Sequence, residues 1–277
     1  MAIVLLDVDG TLVTYENILP DSAATAVRRA RSRGHQVFLS TGRSRAEVPP
    51  ELWELGIDGF IGGNGSYVEV AGQVIHHDHL TAAQTRSVVD WLTRRDLAFY
   101  LETNAGLFGS PNLADQGRPV IRRYIARKGD LDVNSLEIGD VLHGLVLGES
   151  LYRADVNKIS FVLSSLNDHH DATAQFPDLI SGTWGGRGAE ALFGDLGVAG
   201  IDKATALDVL VGHLQADRRD TVAVGDGAVD IPLLRASGTG VAMGNAPDEV
   251  KAVADFVTTD VDENGLHVAF DRLGLLG

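Results

Sequence analysis

Residues 3–12 read Ile-Val-Leu-Leu-Asp-Val-Asp-Gly-Thr-Leu, and the fold turns on this stretch. Four successive apolar residues, Ile3 to Leu6, suit a strand buried on both faces in the middle of a parallel sheet. Asp7 and Asp9 follow one residue apart. Close carboxylates repel each other and resist burial, so they need either a compensating group or a place in an exposed loop. The next segment favours the sheet. "PDSAATAVRRARSRG" (20–34) has Asp21 as a capping residue, small apolar residues at helical spacing and Gly34 as a stop. "QVFLS" (36–40) then reads as a second buried strand ending in Thr41-Gly42-Arg43. Strand, helix and strand within forty residues make a βαβ unit and therefore a parallel sheet.

Working outward, "GFIGGNGS" (59–66) gives a third short strand with a glycine-rich exit, and Ala71-Gly72 separates "YVEV" from "QVIHH" as a hairpin. Between about 81 and 184 the rhythm changes. An amphipathic helix at "TAAQTRSVVDWLTRRD", a strand at "LAFYLET", a basic helix around "RPVIRRYIARKG", a helix-like stretch near 139–152, and strands at "NKISFVL" and "DLISGTW" are less regularly spaced. That texture fits an inserted α+β domain. From 201 the regular alternation returns with "IDKATALDVLVGHL", "TVAVGD", "GAVDIPLLRAS", "GTGVAMGNA", "PDEVKAVAD" and "DFVTT". The expected architecture is α/β: a doubly wound, mostly parallel, Rossmann-like core from residues 1–80 and 185–277, interrupted by an α+β domain at 81–184.

The bulk numbers exclude several function classes. The chain has 277 residues, 44% hydrophobic and 22% charged, a globular profile with ample room for a core. A net charge of −15 and a pI near 4.9 argue against a nucleic-acid or anionic-membrane surface, which needs a basic patch. With no cysteine, disulfides, thiolate chemistry and Cys-ligated zinc are impossible. The amino terminus has no basic region ahead of its apolar run, and no stretch approaches the length of a membrane span. The expectation is a cytoplasmic protein.

The polar residues just past the carboxyl ends of the outer strands form one set: Asp7, Asp9, Thr41, Asp226 and Asp230, with Lys203 opening the helix before the "TVAV" strand. In open α/β sheets sites form at those strand ends, at a topological switch point. A carboxylate nucleophile attacking a phosphoryl dianion meets like-charge repulsion, and needs a divalent cation and a fixed ammonium to overcome it. Mg²⁺ takes carboxylate, carbonyl and water oxygens. Asp7 and Asp226 supply the carboxylates and the Asp9 carbonyl a third oxygen, while Lys203 is the point charge and Thr41 a hydroxyl donor. The Asp9 side chain is left to carry a proton.

"DVDGTL" with "LSTGR", a later lysine and "GDGAVDIPLL" together resemble the haloacid dehalogenase superfamily of aspartyl-phosphate hydrolases, in motif order and in wide spacing. The long insert after the second motif, with "GGNGS" before it and "VAMGNA" near the end, is similar to the Cof-type, class IIB branch. There a large cap closes over small phosphorylated substrates. The resemblance covers the outer segments residue by residue and the insert by length and texture. It implies Asp7 as nucleophile, Asp9 as general acid/base, Thr41 and Lys203 as catalytic phosphate contacts, and Gly42, Arg43 and Asn245 as further phosphate-binding residues. It implies Mg²⁺ at Asp7, Asp9 and Asp226, with Asp230 as a ligand or as the residue orienting Lys203. The implied reaction is Mg²⁺-dependent hydrolysis of small phosphomonoesters, sugar phosphates foremost, with no nucleic-acid or membrane partner. One position departs. The family pattern G-D-x-x-N-D places Asn where this chain has Val229, and valine cannot hydrogen-bond a metal-bound water. Weaker Mg²⁺ binding is expected.

Other signals are weaker. His76, His77 and His79 beside Asp78 follow a hairpin strand, where alternate residues face opposite ways, so a solvated surface explains them better than a metal site. The same holds for "NDHH" (167–170) and for Arg28, Arg29, Arg31 and Arg33. Arg118, Arg122, Arg123 and Arg127 could meet an acidic group, though an exposed charged helix face is the simpler account. "GGNGS" and "WGGRG" lack the strand–helix context of a dinucleotide loop. A phosphomutase, a phospho-receiver module and a catalytically weakened binding protein remain as rivals. The receiver is disfavoured because the third strand ends in "GGNG" rather than in an acceptor aspartate.

Overall fold

A computed structural model describes residues 1–127, 136–186 and 188–277. The chain divides into two compact units. The first comprises Met1–Arg43, Pro50–His77 and Ile201–Gly277, the second Ser44–Pro49 and Asp78–Gly200.

In the first unit, β1 (Ile3–Leu6) leads to α1 (Asp21–Ser32) and β2 (Gln36–Ser40). Pro20 rather than Asp21 occupies the capping position, and no side chain caps that helix. Next come α2 (Pro50–Trp53), β3 (Gly59–Gly62), β4 (Tyr67–Val70) and β5 (Gln73–His77). The second unit contributes α3 (Ala82–Arg94), β6 (Phe99–Thr103), β7 (Leu107–Gly109), α4 (Leu113–Ala126), α5 (Ile138–Val141), β8 (Leu145–Leu147), β9 (Val156–Val162), α6 (Leu166–Gln175), β10 (Leu179–Trp184) and β11 (Phe193–Val198). The chain then returns to the first unit with α7 (Lys203–Leu214), β12 (Thr221–Gly225), α8 (Ile231–Ala236), β13 (Thr239–Ala242), α9 (Asp248–Lys251), β14 (Phe256–Val257) and α10 (Gly265–Arg272).

The first sheet runs β14-β13-β12-β1-β2-β3-β4-β5, parallel from β14 to β3 and closed by the antiparallel β4 and β5. The chain moves from β1 to β2 on one side, while β12 pairs on the other, so β1 is the switch point of a doubly wound sheet. Ile3 and Leu5 pack with Ala206, Leu207 and Leu210 of α7. Val4 and Leu6 face the opposite way and are also fully buried. Burial on both faces explains why the strand reads as an uninterrupted apolar run. Each such side chain is worth ~1.5–3 kcal/mol against exposure.

The second unit is α+β. Its sheet runs β10-β11-β9-β6-β7-β8 and is antiparallel except between β7 and β8. Val88, Trp91 and Leu92 of α3 and Ala172 of α6 cover one face, and Leu113, Ile121 and Ile125 of α4 with Ile138 cover part of the other. Two sequence expectations change here. The helix-like stretch near 139–152 is helical only over Ile138–Val141, because Leu145–Leu147 is taken up by long-range pairing with β7. The second unit also runs beyond 184, to Gly200, because Phe193–Val198 forms a strand between β9 and β10. The end of the basic helix stretch, Lys128 and Gly129, and Arg187 of "WGGRG" lie outside the described residues. Among the described residues, no helix is long and apolar enough to cross a membrane.

Candidate active site

Everything in the constellation belongs to the first unit. Asp7 extends β1 by one rung, its backbone N–H donating to the Val224 carbonyl at 3.0 Å. The chain then folds back on itself. Leu12 and Val13 both donate to the Val8 carbonyl, and Gly10 takes φ +83°, a left-handed conformation that a side chain would strain. This tight loop lets Asp7 and Asp9 part company. Asp7 turns inward and is buried, whereas the Asp9 carboxylate is held by Arg43 in a bidentate pair, Nε to Oδ2 at 2.9 Å and Nη2 to Oδ1 at 2.5 Å. Arg43 Nη2 also reaches Asn17 Oδ1.

Lys203 is the first residue of α7 and is 0% exposed. Asp202 before it caps the helix, accepting from Thr205 N at 2.8 Å. The Lys203 ammonium donates to Asp7 Oδ1 at 2.7 Å, Asp230 Oδ1 at 2.5 Å and the Ser40 carbonyl at 2.7 Å, which uses all three of its protons. Two neighbouring carboxylates outweigh the cost of burial and raise its pKa. Asp230 is the hinge of this arrangement. Its second oxygen accepts from the Asp226 and Gly227 N–H groups at 3.2 and 2.9 Å, so it fixes the loop after β12 while orienting the lysine.

Asp7, Asp226 and Asp230 each offer an oxygen within 4.8 Å of the others, the one grouping of potential metal ligands among the described residues. Three carboxylates face one ammonium. Burial, then the charge of Asp230, pushes Asp7 well above the usual carboxylate range, with Lys203 opposing. Burial likewise raises Asp226 to about 6, against hydrogen bonds from Tyr15 and Thr11. Excess negative charge on hard oxygen donors fits a divalent cation such as Mg²⁺. Among the described residues, no second acidic or histidine cluster forms around His76, His77 and His79; His77 stacks edge-on against Tyr67.

Thr41, at the end of β2, is buried, and its hydroxyl accepts from Arg43 N at 3.2 Å. Gly42 lies beside the Asn64 side chain; a Cβ on it would come within 3.1 Å of Asn64 Oδ1. Asn245, expected as a phosphate contact, donates to the Gly10 carbonyl at 2.9 Å and to the Tyr15 hydroxyl at 3.3 Å, and accepts from Val261 N at 3.0 Å. It braces the loop that carries the first acids. Val229 is 52% exposed. In the second unit, Arg118 pairs with Glu137 at 3.1 Å, Arg122 donates to the Leu136 carbonyl and Arg127 to the Gly185 and Glu190 carbonyls. Those arginines tie their own unit together. Sequence reasoning missed Thr11 and Tyr15, which donate to opposite oxygens of Asp226. Thr11 was visible inside "DVDGTL"; nothing around Tyr15 marks it.

A family model for haloacid dehalogenase-like hydrolases matches residues 4–270. The chain belongs to this family. The Bacillus subtilis (strain 168) protein YkrA is 32% identical over 276 residues, covering 99% of this chain and 98% of that one. The solved structure of the haloalkanoate-superfamily phosphatase BT1666 from Bacteroides thetaiotaomicron superposes with a TM-score of 0.78 at 29% identity, covering 99% and 96%. That of the subclass IIB sugar phosphatase BT4131 gives 0.76 at 26%, covering 99% and 100%. The haloacid dehalogenase-like core thus includes Asp7, Lys203, Asp226 and Asp230 in one connected network.

Proposed function

We propose that the chain is a Mg²⁺-dependent phosphatase that hydrolyses small phosphomonoesters through an aspartyl-phosphate on Asp7. The observation that carries this reading is the fully buried Lys203, bonded to Asp7 and Asp230 at once beside Asp226. An ammonium so placed fixes the nucleophile's rotamer and meets the negative charge of an incoming phosphoryl group. Family membership and the likeness to phosphatase structures support the same chemistry.

In the first step an Asp7 carboxylate oxygen forms a bond to phosphorus as the bond to the alcohol oxygen breaks, and Asp9 gives that oxygen a proton. In the second, Asp9 takes a proton from water as the water oxygen bonds to phosphorus, and Asp7 leaves as free carboxylate. A divalent cation held by Asp7 and Asp226, with Asp230 beside them and the Asp9 carbonyl as a further proposed donor, would neutralise charge on the phosphoryl oxygens. Lys203, the Thr41 hydroxyl, the backbone after it and the Arg43 guanidinium are the groups proposed to hold those oxygens. Arg43 can serve both ways, since releasing Asp9 frees its fork for phosphate. Sugar phosphates are the proposed substrate class, from the likeness to the sugar phosphatase BT4131.

The test is release of inorganic phosphate from an aryl phosphate and a panel of sugar phosphates, with and without Mg²⁺, for wild type and Asp7→Asn. Metal-dependent turnover that disappears in Asp7→Asn is expected. Turnover that survives the substitution, or a wild type inert on the whole panel, defeats the proposal.

A further inference from the structure

Asp226 is gripped from both sides by hydroxyls of the loop that follows β1. Thr11, fully buried, donates to Oδ1 at 3.0 Å, and the Tyr15 phenol donates to Oδ2. Tyr15 is itself held, because Asn245 Nδ2 donates to the phenol oxygen at 3.3 Å and to the Gly10 carbonyl at 2.9 Å. The approach depends on Gly10. A Cβ there would fall 2.5 Å from Asp226 Oδ2 and 2.7 Å from two ring carbons of Tyr15. Ring, carboxylate and backbone therefore close around one another with no spare room. Yet Tyr15 is 41% exposed, so burial of its ring is a weak reason for its position. The hydrogen bond is the stronger one.

The geometry points to Tyr15 as a positioning residue for the metal-binding carboxylate of Asp226, with Thr11 as its counterpart on the other oxygen. This inference rests on the metal-dependent reading above. With one hydroxyl donor on each oxygen, the carboxylate cannot turn without breaking a bond, and each oxygen keeps a lone pair for a cation. Outer partners of this kind orient the ligands that touch the metal. Val229, apolar and exposed, supplies no such donor. Orientation matters most for Mg²⁺, which demands near-octahedral placement, and less for Ca²⁺, whose coordination is flexible.

Tyr15→Phe keeps the ring and removes the donor. The experiment is calorimetric titration of the full chain with Mg²⁺ alone and with Ca²⁺ alone, without substrate, beside the unfolding temperature of the metal-free protein. The Mg²⁺ Kd is expected to rise about tenfold or more. The Ca²⁺ Kd should change less than about threefold, and the metal-free Tm should hold. Thr11→Val, nearly isosteric, should shift the Mg²⁺ to Ca²⁺ ratio in the same direction. A Mg²⁺ Kd unchanged in Tyr15→Phe overturns the inference while leaving the phosphatase reading intact. So does an equal loss of both ions together with a fall in metal-free Tm, which would mark a structural role. A wild type that binds no Mg²⁺ overturns the metal-dependent reading and this inference with it.

Discussion

Lys203 shows how one side chain can make a buried acidic site tenable. Its ammonium spends all three protons on Asp7, Asp230 and the Ser40 carbonyl. Lys203→Met would leave two buried carboxylates without their counter-charge, and removing one partner of a buried pair costs ~3–5 kcal/mol. Urea unfolding of the variant should register that loss, and a stability within about 1 kcal/mol of wild type would contradict the network described. Val229 is the opposite case. Thr11 and Tyr15 already place a donor on each oxygen of Asp226, so an amide at 229 would add less to its orientation than in a site without them. Val229→Asn is expected to tighten Mg²⁺ binding by less than about tenfold, by titration of the metal alone. No change in either affinity or turnover would remove Val229 as a factor.

Elements matter here through their ends. The start of α7 has to come close enough to β1 for Lys203 to reach Asp7, and the glycine-rich exit of β3 makes room for it. Gly65 sits at φ +113° with its hypothetical Cβ 2.2 Å from the Asp202 carbonyl oxygen. "GGNGS" is thus a packing device for the helix that carries the lysine rather than a nucleotide loop. Gly65→Ala should cost ~1–3 kcal/mol by overpacking, with backbone strain added. Phosphate release should fall with it, because the helix start must shift. A variant with wild-type stability and turnover would show that the contact yields freely.

On the scale of the whole molecule, each unit buries a carboxyl beside a lysine. In the second unit Glu102 is 2% exposed, with Lys158 Nζ at 3.2 Å and the Ser160 hydroxyl at 2.5 Å. Burial lifts Glu102 to about 8, against the pull of Lys158 and with Glu47 adding to the rise. A carboxyl whose folded pKa lies above its unfolded value binds more protons when folded, so stability falls as pH rises between the two. From about pH 4.5 to about 8 this group lowers the unfolding free energy by at most ~1.4 kcal/mol per pH unit. Glu102→Gln should flatten the stability–pH curve in that window, as followed by denaturant unfolding at several pH values. An unchanged slope would show that Glu102 is ionised throughout.

The sequence by itself determined the core. A four-residue apolar strand, a strongly patterned helix and a second strand read as a parallel sheet, and acids at strand ends as a set at its carboxyl edge. Those are local patterns repeated along the chain, and burial on two faces writes itself directly into composition. Tertiary structure alone decided the pairings that join residues far apart in sequence. Leu145–Leu147 became strand because β7 lay beside it, and Phe193–Val198 joined the second unit because β9 and β10 flanked it. Asp9 found Arg43, Asn245 became a brace, and Tyr15, without any motif, came to rest on Asp226, 211 residues away. Hydrogen-bond partners depend on three-dimensional approach, and nothing in the periodicity of a strand or helix records which distant side chain will arrive.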